Sequence, residues 1–122
     1  MLKKILITDE SDELKSELGS ILKSAGYDVV DAANGAEALN RLKENNISLV
    51  ITDVNMPEID GLTLLKIIRG DSGYCRVPVL LLTDETDDDL ITEARLNGAN
   101  AWILKPFNAE QLIGAVKKYL AA

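Results

Sequence analysis

The chain alternates short apolar runs with longer segments whose apolar residues recur every three or four positions. KKILIT (3–8) is the first run, and Leu14, Leu18, Ile21, Leu22 and Ala25 then share one helical face over residues 11–25. Gly26 ends that helix. YDVVDA (27–32) predicts a second strand, and Asn34 with Glu37 forms an N-cap pair for a helix reaching residue 45. SLVITD (48–53) is the third strand and 61–69 the third helix. After a loop closed by Pro78, VLLLT (79–83) is nearly all apolar. Thr86 and Asp89 then stand at capping-box spacing, Asp89 replacing the usual Glu or Gln, for a helix ending near Asn97-Gly98. AWIL (101–104) is the fifth strand, and Asn108 with Gln111 caps a helix carrying Leu112, Ile113, Val116, Tyr119 and Leu120.

The first, third and fourth strands lack alternation, as expected where helices cover both sheet faces. Repeated strand–helix units with right-handed crossovers give the α/β class and an open parallel sheet. With 122 residues and no repeat, low-complexity tract or linker, a single domain over 1–122 is expected. In such sheets the working site lies beyond the carboxyl ends of the strands, where strand order reverses. The residues to inspect are therefore Asp9-Glu10, Asp53, Thr83 and Lys105-Pro106.

Each of these has an ordinary reading. Asp9 and Glu10 suit a helix N-terminus, where the dipole favours acids. Asp53 suits a turn, Thr83 a strand, and Lys105 a solvated surface. Taken together they predict one sheet edge holding three carboxylates, a hydroxyl and an ammonium. A single lysine cannot offset three acids, but a divalent cation can. Mg²⁺ accepts few protein carboxylates, keeps several waters and commonly bridges to phosphoryl oxygens. The set suits phosphoryl transfer, in which catalysis is mainly positioning and charge neutralisation. Asp53 is then the nucleophile, with Lys105 and Thr83 holding phosphoryl oxygens. No GxxxxGKS-type loop is present, so a nucleotide is not the obvious donor.

Composition narrows the partners. The formal net charge of −7 disfavours nucleic-acid backbones and favours cations or basic proteins. No apolar run approaches the roughly 20 residues of a membrane span, and the short apolar stretch in MLKKILITDE runs straight into acids, unlike a secretory signal. One cysteine, Cys75, excludes an internal disulfide and fits a reducing cytoplasm. Histidine is absent, which removes imidazole bases, imidazole metal ligands and any phosphohistidine of the chain's own.

Over essentially its whole length, from KKILITDES through DAANGAEAL, ITDVNMPEIDG, VPVLLLTDE and GANAWILKPF, the chain resembles the receiver domains of two-component response regulators of the single-domain chemotaxis type. The resemblance implies a three-layer (βα)5 flavodoxin-like fold with a five-stranded sheet of order 2-1-3-4-5. It implies phosphorylation of Asp53 by a histidine kinase or His-containing phosphotransfer protein with Mg²⁺, and no turnover of an external substrate. Asp9 and Glu10 match the family's acidic pair, and Asn55 the site whose backbone carbonyl completes the metal shell. Thr83 matches the switch hydroxyl, Lys105 the lysine, and Trp102 the switch aromatic, usually Tyr or Phe. Lys105-Pro106 is expected to be cis. Phosphorylation adds about −1.5 to −2 charge and three acceptor oxygens, less the carboxylate charge it consumes. Thr83 then moves towards it, Trp102 rotates inward, and the surface of the fourth helix, fifth strand and fifth helix changes for a partner protein. A monomer or weak homodimer is expected.

Two departures stand out. Glu10 occupies a position that is usually Asp, and its additional methylene should weaken Mg²⁺ binding. Asp84 follows Thr83 where Ala or Gly is usual, so it either points away or slows phosphorylation. A degenerate receiver that only binds protein is the alternative these departures favour. A metal-dependent hydrolase or flavin binder on the same fold is a further one. The first lacks a histidine and the second a phosphate loop and flanking aromatics.

Overall fold

The structure, a computed structural model, describes residues 2–120. Met1 and the two residues after Leu120, included in the expected span 1–122, lie outside it. Five strand–helix units follow in order: β1 (Lys4–Thr8), α1 (Asp12–Ser24), β2 (Asp28–Ala32), α2 (Gly35–Glu44), β3 (Ile47–Thr52), α3 (Gly61–Gly70), β4 (Val79–Thr83), α4 (Asp88–Leu96), β5 (Ala101–Leu104) and α5 (Ala109–Leu120). All pairings are parallel, in the order β2-β1-β3-β4-β5. The expected sheet is present, and its order reverses between β1 and β3.

Strand side chains serve two cores in alternation. Leu6, Val50 and Leu81 pack with Ala38, Leu42, Leu64, Leu65 and Ile68 of α2 and α3. Ile5, Ile7, Leu49, Ile51, Leu80 and Leu82 pack on the other face with Leu18 and Leu22 of α1 and Leu112 and Val116 of α5. Each fully buried Leu or Ile contributes roughly 1.5–3 kcal/mol of transfer free energy. That two-sided burial explains the missing alternation.

Helix starts are set by side chains that satisfy the first free amides. Ser11 Oγ accepts from the Leu14 amide at 3.1 Å and Asn34 Oδ1 from the Glu37 amide at 2.9 Å. Asp60, unmarked in the sequence reading, caps α3 by accepting from the Thr63 amide at 2.7 Å. The expected Thr86 cap is wrong by one residue. Asp87 caps α4, accepting from the Asp89 amide at 2.8 Å. Glu85 Oε2 already accepts from the amides of Thr86 and Asp87, so the carboxylate left for the helix is that of Asp87.

Two contacts fix the loops near the reversal. A Cβ on Gly61 would lie 2.1 Å from the Asp53 carbonyl oxygen, and the Gly61 amide donates to the Val54 carbonyl at 2.8 Å. Only glycine lets α3 start this close to the end of β3. At the opposite end of the sheet, Arg69 donates to the carbonyls of Cys75, Val77 and Gly98 and to Asn100 Oδ1. Burial pulls the Arg69 guanidinium down from its ordinary value, and the Cys75 thiol opposes that shift.

Candidate functional site

β1 and β3 end side by side, with Thr8 opposite Thr52 in register. The next residue on each strand is an acid. The Asp53 amide donates to the Thr8 carbonyl at 3.0 Å and the Asp9 amide to the Ala32 carbonyl at 3.4 Å. The ladder thus runs one residue past the strands, which delivers both carboxylates to the carboxyl edge. Asp9 Oδ1 accepts from the Ser11 amide at 2.9 Å. Asp53 Oδ1 accepts from the amides of Val54 at 2.7 Å and Asn55 at 3.4 Å.

The other oxygen of each acid meets Lys105. Its Nζ lies 2.8 Å from Asp9 Oδ2 and 3.0 Å from Asp53 Oδ2. Lys105 follows β5, and its amide donates to the Thr83 carbonyl at 2.8 Å. The Lys105-Pro106 bond is cis, as expected. Burial alone pulls the ammonium down, but hydrogen bonds and charge from Asp9 and Asp53 outweigh it, and the net shift is upward. Lys105 is therefore a fixed cation at neutral pH. The Asp53 side chain is 12% exposed and that of Lys105 22%, so the pocket opens to solvent.

Three acids were expected here, but two meet. Glu10 is exposed, and among the described residues no three acidic, histidine or cysteine side chains are placed together as a metal group. One ammonium offsets one carboxylate of the pair, and a third acid gains more from water than from joining a site already in excess negative charge. The donor set still fits Mg²⁺, which is content with one or two carboxylates when water and phosphoryl oxygens complete its shell. Asp9 and Asp53 face one small volume with their charge only half balanced, and the Asn55 backbone lies beside it.

Thr83 and Trp102 are joined through a residue that the sequence did not single out. Buried Thr83 Oγ1 accepts from the Glu85 amide at 3.2 Å, and the half-buried Trp102 indole Nε1 donates to the Glu85 carbonyl at 3.1 Å. The Glu85 backbone thus links the hydroxyl to the ring, its amide bonded to one and its carbonyl to the other. Trp102 also borders a cavity of about 150 Å³ with Ile91, Ala94 and Arg95 of α4. Asp84 is exposed.

The family model of the response regulator receiver domain matches residues 5–117. The chain is 34% identical to chemotaxis protein CheY of Pseudomonas aeruginosa, over 94% of each. It is 36% identical to chemotaxis protein CheY1 of Helicobacter pylori, over 89% of this chain and 90% of that one. A solved structure of chemotaxis protein CheY4 of Vibrio cholerae superposes with a TM-score of 0.92 at 36% identity, covering 98% of this chain and all (100%) of that chain. Among the described residues, no helix is long and apolar enough to cross a membrane.

Proposed function

Because the chain belongs to the response regulator receiver domains of two-component signalling, we propose that it accepts a phosphoryl group on Asp53 from a phosphohistidine of a histidine kinase or phosphotransfer protein. The observation that carries this reading is Lys105 Nζ bound at once to Asp9 and Asp53 at an open sheet edge. An Asp53 carboxylate oxygen forms the new O–P bond, the P–N bond breaks, and its electron pair stays on the donor imidazole. Asp9, Asp53 and the Asn55 carbonyl, with Glu10 at the margin, would hold Mg²⁺, which would supply neutralising charge. The Val54 and Asn55 amides orient the nucleophile, and Lys105 offsets charge on the incoming oxygens. The group stays on the chain's own aspartate, so no external substrate is turned over.

Phosphorylation gives the Thr83 hydroxyl proton a charged acceptor, and turning towards it stretches the bond in which Thr83 Oγ1 accepts from the Glu85 amide. Drawing Thr83 away frees the Glu85 backbone and, with it, the indole of Trp102. The surface of α4, β5 and α5 changes for a cytoplasmic partner protein. Incubation with a small-molecule acyl phosphate and Mg²⁺, followed by intact-mass spectrometry, should show a gain of one phosphoryl group that Asp53→Asn abolishes. Persistence of the gain in Asp53→Asn, or no gain in the wild type even from a phosphorylated donor protein, would overturn the reading.

A further inference from the structure

Among the described residues, one buried side-chain polar atom has no hydrogen-bond partner, and it is Thr8 Oγ1. Thr8 is 1% exposed and ends β1, whose preceding residues are Ile5, Leu6 and Ile7. Valine has nearly the same shape and would fill such a site without the cost of an unmade hydrogen bond. A hydroxyl kept there calls for a reason. Thr8 precedes Asp9, and its carbonyl accepts the Asp53 amide at 3.0 Å, so its backbone touches both acids of the pocket. Directly across the ladder is Thr52, fully buried, with its side chain on the same sheet face. The Thr52 hydroxyl donates to the Asp53 carbonyl at 2.9 Å, which leaves its lone pairs able to accept.

We infer that Thr8 is a positioning residue for Asp53, its hydroxyl pairing with Thr52 Oγ1 as the pocket closes on the phosphoryl group. A change of Thr8 χ1 between staggered wells swings the hydroxyl about Cβ. The pairing completes a chain from the Thr8 hydroxyl through Thr52 Oγ1 to the Asp53 carbonyl. Thr8 then holds the peptide groups on both sides of Asp53, one by its carbonyl and one through Thr52. The structure lacks this bond, and forming it on phosphorylation stabilises the phosphorylated pocket. This inference rests on Asp53 being the phosphoacceptor.

Thr8→Val and Thr8→Ser separate the hydroxyl from the shape of the side chain. Thr8→Val should be at least as stable as wild type by urea midpoint, because it removes an unpaired hydroxyl. It should take phosphate from acyl phosphate and Mg²⁺ on the order of tenfold more slowly, the value of one buried hydrogen bond. Thr8→Ser should run near the wild-type rate. A wild-type rate in Thr8→Val, equal slowing in both variants, or a parallel loss of stability and rate in Thr8→Val would each overturn the inference. Failure of the wild type itself to take phosphate would instead remove the phosphoacceptor reading beneath it.

Discussion

Replacing Lys105 with methionine keeps the length of the side chain and removes the one ammonium shared by two buried acids. Asp9 and Asp53 lose hydrogen bonds of 2.8 and 3.0 Å, and their side chains are 6% and 12% exposed. Breaking a buried ion pair by removing one partner costs about 3–5 kcal/mol. Lys105 is 22% exposed, so water recovers part of that, and a loss of about 2–3 kcal/mol is expected. For a domain of this size the midpoint temperature should fall by about 10 °C. Urea unfolding of wild type and Lys105→Met at neutral pH and low salt measures the loss. Its cause is identified by two further titrations. The deficit should shrink as salt is raised, because screening eases the repulsion between two acids left without their shared cation. It should also shrink with added Mg²⁺, which replaces the missing positive charge. Equal stability of the two proteins at neutral pH, or a deficit indifferent to both titrations, would refute the claim that Lys105 balances this pair.

Other consequences follow from the same geometry. Since the native Lys105 holds its proton to higher pH than the ordinary 10.5, its contribution to stability should be complete below that value and lost as pH climbs through the raised native one. The stability gap between wild type and Lys105→Met, followed by alkaline urea titration, should therefore persist to that range; convergence well below it would contradict the upward shift. Gly61→Ala forces a Cβ against the Asp53 carbonyl and should cost about 3 kcal/mol while displacing the acid, so both the unfolding midpoint and the phosphorylation rate should drop. Trp102 is the sole tryptophan, so its emission should shift when acyl phosphate and Mg²⁺ are added to wild type but not to Asp53→Asn. Trp102→Phe, which lacks the donor to the Glu85 carbonyl, should lose about 1 kcal/mol in urea unfolding.

Helix periodicity, the Asn34 and Asn108 caps and the apolar runs were enough to read the element order, because each depends on residues close in sequence. The placing of Asp9, Asp53, Thr83 and Lys105 at one sheet edge was legible for the same reason, since each ends a strand and parallel strands end together. Local rules miss by a residue where neighbours compete, as Glu85 does for the amides before α4. Other features needed the folded chain. Arg69 shows no distinguishing pattern in sequence, yet it ties carbonyls 6, 8 and 29 residues away. The idle hydroxyl of Thr8 emerges only when Thr52 is set beside it.

Sequence alone therefore determined which side chains end each strand, since backbone preference and apolar periodicity act over a few residues. Only the tertiary structure decided that Asp9 and Asp53 share Lys105 while Glu10 stays in water, and that Glu85 joins Thr83 to Trp102. Those outcomes depend on distances between charges and dipoles far apart along the chain. There Coulomb attraction competes with solvation, and the balance is struck only when the sheet has brought the groups within a few ångströms.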